Sequence, residues 1–164
     1  MSDLISVARP SKATAPVETE VPAILAGDGW YPDIDLRDAR AVLRMADGTI
    51  TDVRLREAVS EGMAHAMDVL ATWRADRERA GITTLQDTKA LIVGGENVQV
   101  ARYRRAVYGW ALALLIERYR GYDISKDGVR RADALECAPD DARRDAYWAL
   151  SDIIGRPRMT VELI

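Results

Sequence analysis

An all-α fold, a small helical bundle with a flexible N-terminal arm and an extended C-terminal strand or tail, is predicted by three features of the 164-residue sequence. Apolar residues recur at helical spacing over two long segments. Capping residues and Gly or Pro stops bracket those segments, and only the closing "RMTVELI" alternates at strand periodicity. The length suits one domain that buries its core without metal or disulfide staples. Lys plus Arg number 23 and Asp plus Glu 26, a net charge of −3, so no bulk charge draws the chain to nucleic acid. The single Cys137 cannot form an internal disulfide, and no secretory signal pattern occurs, so synthesis in a cytoplasm is expected. The longest apolar run, "ALALLI" at 111–116, falls far short of the roughly 20 residues a bilayer span needs.

Residues 1–29 hold Pro10, Pro16, Pro22, Gly27 and Gly29 among small and polar residues, which reads as a mobile arm. Val21, Ile24 and Leu25 give the arm apolar surface to bury if it orders on a partner. Pro32 imposes an extended entry, and Asp35 can cap a short helix from about Leu36 to Met45, with Asp38 beside its positive end. Asp47 and Gly48 form a turn pair that ends it, and Thr51 or Asp52 can cap a second helix over residues 53–80. There Leu55, Val59, Met63, Ala66, Leu70 and Trp73 make one apolar face, and Gly81 is a natural stop.

Residues 82–96 form a connector with room for a brief strand or helical turn, and Gly94-Gly95 permits a tight reversal. The spacing needed for a phosphate loop is missing around that pair. The third helix is expected from about Asn97 to Arg120, with Val100, Tyr103, Val107, Trp110 and Leu114 on one stripe. Ala106, Leu112, Ala113, Leu115 and Ile116 make its second half apolar nearly all round, as suits a helix in the middle of a bundle. "SKDGVRRADALEC" reads as a short helix up to Pro139. Pro139 can open the next helix, with Asp140 and Asp141 at its positive end and Ala142, Ala146, Ala149, Leu150 and Ile153 on one face. Residues 126–154 fit two helices or one kinked helix, ended by Gly155 and Pro157. In the tail Met159, Val161 and Leu163 share a side, and such a strand needs a paired edge, in the connector at 91–93 or on another molecule.

Catalytic constellations are missing. His65, the one histidine, is expected at the surface or edge of the second helix, and no HExxH, GxSxG or paired CxxC occurs. "DISKDG" matches the first half of a calcium loop through Asp123, Ser125, Asp127 and Gly128. Position nine of that loop is Arg131 and position twelve is Ala134, so the carboxylate that completes coordination is absent and capping by Asp123 or Ser125 is the better reading. The cluster Arg118, Tyr119, Arg120 and Tyr122 has the residue types that stack on bases. It equally closes a helix: arginines complement the negative end, Gly121 supplies a stop, and the tyrosines pack at a subunit boundary.

The ordered strings "YPDID", "RLREAVSEGM", "RERAGITTLQD", "RYRRAV", "IERYRGYD", "RRADAL", "RRDAYWAL" and "GRPR" resemble the head completion protein (GPL) family of contractile-tailed phages, over about residues 30–164. The resemblance implies a non-enzymatic connector at the portal vertex, the head-tail junction of the virion. There, copies form a ring of twelve after DNA packaging, stabilise the filled head and offer the tail-attachment interface. Its implied partners are the portal protein, tail or neck proteins and further copies of itself, with packaged DNA near the channel but not read by sequence, and no membrane or cofactor. Residues 30–155 would then be a helical connector domain and 156–164 an extended tail.

Binding of the portal is expected through Arg156, Arg158, Met159, Val161 and Leu163 by strand addition. Residues 99–122 carry five arginines against one glutamate, a local +4, and residues 139–154 carry two arginines against four aspartates, a local −2. Head-to-tail packing would join such unlike faces, so the subunit interface is expected at Arg102, Arg104, Arg105, Arg118 and Arg120 against Asp140, Asp141 and Asp145. The competing reading is a helical DNA-binding regulator with residues 97–120 as recognition helix. That helix is basic only at its two ends.

Overall fold

The computed structural model describes residues 22–44, 50–122 and 139–157. Among them the chain is mostly helical: α1 spans Leu36–Val42, α2 Asp52–Arg79, α3 Val98–Tyr122 and α4 Pro139–Ile154. The all-α expectation needs one refinement, because two antiparallel pairs of short strands are present. Strand β1 (Ile24–Leu25) pairs with β2 (Ile34–Asp35), and β3 (Ile92–Val93) with β4 (Glu96–Asn97). Two-residue strands are too short to show a period in sequence, so hydrophobic pattern could not reveal them.

The start of the domain shifts for the same reason. Residues 22–29, assigned by sequence to the arm, belong to the fold: Leu25 is buried opposite Ile34, and the Leu36 N–H donates to Ala23 O at 2.7 Å. Arg56 also reaches Pro22 O at 3.2 Å. Next in the chain, Asp28 Oδ1 accepts the N–H groups of Trp30 and Tyr31, both at 3.0 Å, and turns both rings into the core. Trp30 meets Trp73 of α2 edge on at 5.9 Å, and Tyr31 stacks on Tyr103 of α3 at 4.9 Å. Arg74 covers this cluster, lying over the Trp30 and Tyr31 rings and pairing with Asp28 and Glu78.

The caps agree with the sequence. Asp35 accepts from Arg37 N at 2.8 Å at the start of α1, and Thr51 Oγ1 accepts from Arg54 N at the start of α2. Helix α1 stops at Val42, before the expected Met45, and Arg44 takes a left-handed φ of 50°. On α2, Leu55, Val59, Met63, Ala66 and Leu70 are buried as predicted, with Trp73 half-buried against the core. Helix α3 is the centre of the bundle, packed between α2 and α4, and α4 meets it with Ala142, Ala146, Ala149, Leu150 and Ile153. Gly121, expected to stop α3, lies inside it, since the helix continues to Tyr122.

Two helical glycines set how closely these layers approach. A Cβ on Gly62 of α2 would lie 2.6 Å from Val107 O, and one on Gly109 of α3 would lie 3.0 Å from Ala142 O of α4. Backbone, unlike a side-chain tip, cannot move aside cheaply at either crossing. Gly62→Ala should therefore destabilise the protein even though alanine favours the helix by about 1 kcal/mol, because overpacking of this kind costs about 1–3 kcal/mol. Urea unfolding is the check, and a variant as stable as the parent would show that α2 and α3 separate freely.

Candidate interaction surfaces

Among the described residues no group of three or more His, Cys, Asp or Glu side chains could hold a metal, and no helix is long and apolar enough to cross a membrane. The calcium-like stretch 123–134 lies outside the described residues. His65 is an edge residue, but a structural one. Its ring stacks on Trp110 of α3 at 3.6 Å and meets Tyr147 of α4 edge on at 5.7 Å, while Trp110 and Tyr147 meet at 86°. Three helices are thus joined by three aromatic rings far apart in sequence. His65 Nε2 is enclosed without a hydrogen-bond partner among the described residues, which gives a proton there nothing to bind against.

The charged residues named from sequence are engaged mainly within the chain. Arg102 donates to Gln99 Oε1 and to Asp152 O, both at 3.2 Å, which ties α3 to the end of α4. Arg104 pairs with Glu96 at 2.6 Å and braces the β3–β4 hairpin against α3. Arg105 faces Asp145 at 3.6 Å, and Arg118 reaches Glu57 of α2 at 3.0 Å. Asp140 pairs with Arg143 at 3.5 Å and Asp141 with Arg144 at 2.8 Å, within one turn of α4. Arg143 also meets Glu117 of α3 at 2.5 Å. The opposite charges of α3 and α4 attract because the two helices pack together in one chain, which local charge sums cannot distinguish from attraction between copies. Asp140, 96% exposed at its side chain, and the half-exposed Arg105, Asp145 and Arg118 still face solvent. The side chain of Arg120 lies outside the described residues, as do Arg158, Met159, Val161 and Leu163.

Arg156 is exposed where the chain leaves α4. Gly155 takes φ 81°, and the N–H groups of Gly155 and Arg156 both donate to Ser151 O at 2.9 Å, an ending that directs the following residues off the helix. The recognition-helix reading of α3 meets a packing obstacle: Ala106, Val107, Ala111, Ala113, Leu115 and Ile116 are buried, so that helix cannot lie in a DNA groove without unfolding the bundle.

Two apolar surfaces are not evident in the sequence, which offers residues 91–93 only as a strand edge for the tail. The connector presents Leu91, Ile92 and Val93 with exposures of 74%, 62% and 65%. Beside α3 lies a groove of about 380 Å³, lined by Val42 at the end of α1 and Leu43 just after it, Ala101, Tyr108 and Leu112 of α3, and Ala142 of α4, with Arg104, Arg105, Glu96 and Asp145 at its margin. "LIVGG" carried the only signal, three branched apolar residues before a glycine pair. The groove carried none, because its walls come from separate helices.

Comparison with known proteins places these surfaces in a family. The model of the family described as "Phage head completion protein (GPL)" matches residues 25–164. A protein of Escherichia phage P2 named "Head completion/stabilization protein" is 40% identical over 135 residues, covering 82% of this chain and 79% of that protein. No solved structure matches the chain.

Burial holds the His65 pKa below its ordinary 6.5, and the carboxylate of Asp68 opposes that shift only in part. A depressed folded-state pKa means that the unfolded chain takes up the proton first. The contribution is therefore complete above about 6.5 and declines as pH falls through that value toward the folded pKa. His65→Phe keeps a ring against Trp110 and should flatten this part of the melting temperature profile. An identical profile in both proteins would assign the titration elsewhere.

Proposed function

The chain belongs to the phage head completion protein (GPL) family, and from that premise we propose that it is a non-enzymatic connector of the virion. In this reading it binds the portal vertex at the head-tail junction once the genome is packaged, after synthesis in the host cytoplasm. Copies close into a ring of twelve that stabilises the filled head and offers the surface to which tail or neck proteins attach. The observation that carries the reading is the match over residues 25–164, which takes in every described helix and the C-terminal tail.

Several structural features support it. A bundle whose surface arginines pair largely with carboxylates of the same chain is suited to holding surfaces in place rather than to chemistry. Arg156 is exposed after the left-handed ending of α4, and Arg158, Met159, Val161 and Leu163, which follow it in sequence, would add as a strand to an edge on the portal. Arg105, Arg118, Asp140 and Asp145, exposed enough to meet a neighbour, would contribute to the contact between copies, with Arg102 tying α3 to the end of α4, Arg104 bracing the hairpin and Asp141 pairing within α4. Arg120 would join that contact from the last turns of α3. Packaged DNA would pass nearby without being read by sequence, since the arginines lie on the helix ends and engage protein carboxylates.

Deleting residues 157–164 should leave helical circular dichroism unchanged and abolish association with portal rings of the same phage in sedimentation velocity. Unchanged association by the truncated protein would overturn the tail assignment.

A further inference from the structure

The β3–β4 hairpin is firmly mounted but apolar along its incoming strand. Asn97, buried at its base, donates from Nδ2 to Thr88 O at 2.7 Å and Gln86 O at 3.0 Å, and its Oδ1 accepts from Gln99 N at 2.9 Å. Val98 N donates to Leu91 O at 2.9 Å, and the Glu96–Arg104 pair braces the outgoing strand. Gly94 and Gly95, with φ of 60° and 84°, close the turn in backbone space that favours glycine. Three ordered points of attachment thus hold a short hairpin tip whose incoming arm exposes three consecutive large side chains, Leu91, Ile92 and Val93. Exposed apolar clusters of this kind mark association sites.

We propose that this tip seats in the groove beside α3 of a second copy of the chain. The inference rests on the ring reading above and identifies the contact that would build it. The groove stays open within its own subunit: the hairpin borders it only through Glu96, while Leu91, Ile92 and Val93 take no part in its walls. Its walls are aliphatic and aromatic, from Val42, Leu43, Tyr108 and Leu112, and its size suits branched aliphatic side chains. The charges at the edges are complementary. Lys89, exposed two residues before the tip, has no ion-pair partner among the described residues. Asp145 at the groove margin is about half exposed and held only loosely, at 3.6 Å, by Arg105. A knob and a hole on different parts of one chain make a heterologous contact, the kind that generates a ring when its rotation closes.

The test uses full-length chains in a Cys137→Ser background. Ile92→Cys in one preparation is mixed with Val42→Cys in another and treated with a short bismaleimide, alone and on portal rings. Linkage between positions 92 and 42 is expected. Chains carrying both substitutions should link into species larger than pairs, and Ile92→Asp with Val93→Asp should abolish the assembly while leaving helical circular dichroism intact. No linkage in a preparation whose unlabelled chains do assemble overturns the tip-to-groove contact and leaves the ring reading standing. Linked pairs without any larger species, on or off the portal, uphold the contact and overturn the ring. Loss of single-copy portal attachment in the double aspartate variant, without linkage between chains, would place the tip against the portal and overturn the inference.

Discussion

The fold depends on how closely the backbone of α3 approaches the helices on either side of it. At Gly62 and Gly109 the absence of a side chain brings helix against helix near Val107 and Ala142, within distances a single methyl group would violate. Close approach lets small residues on α3 and α4, such as Ala106, Ala111, Ala146 and Ala149, be fully buried, and it lets a helix apolar nearly all round be covered. A fully buried Leu or Ile contributes about 1.5–3 kcal/mol, against about 0–1 kcal/mol for an exposed ion pair. Burial of Leu55, Leu70, Leu115, Ile116 and Leu150 therefore outweighs the surface pairs in holding the helices together.

That ordering of magnitudes explains the use of charge in this chain. The Arg105–Asp145 and Arg143–Glu117 pairs lie along the α3–α4 seam and Arg118–Glu57 along the α2–α3 seam, where they orient helices already joined by their cores. Arg74 is an exception in kind, since it covers two aromatic rings as well as pairing with Asp28 and Glu78. Burial alone would raise the pKa of Asp28, but the Tyr31 and Trp30 N–H groups and the Arg74 guanidinium outweigh it and hold the carboxyl below its usual value. One carboxylate thus both shapes the Asp28–Tyr31 turn and anchors the arginine that covers its rings.

For a protein whose family completes phage heads, the consequence is a division of labour. Polar groups are largely satisfied within the chain, as at Asn97 and Arg102, so they specify the shape of one subunit. The apolar surface left uncovered among the described residues includes Leu91, Ile92 and Val93 and the groove beside α3. Apolar surface of this type gains burial when a partner covers it.

Much of the helical framework was legible in the sequence, because helices are specified by neighbours within a few positions. Thr51 and Asp35 cap where their residue type predicts, and the Leu55 to Leu70 stripe is buried because it shares one face of its own helix. The family resemblance was legible for a similar reason, as an ordered series of short strings. Contacts across the chain were not. The pairing of Leu25 with Ile34, the joint of His65 with Trp110 and Tyr147, and the meeting of opposite charges on α3 and α4 depend on where separate elements lie in space. The sequence by itself determined where the four described helices lie and which faces they bury. Only the tertiary structure decided which glycines are crossings, which charges are already paired, and which apolar residues remain uncovered, because each is a property of two elements in contact and of neither alone.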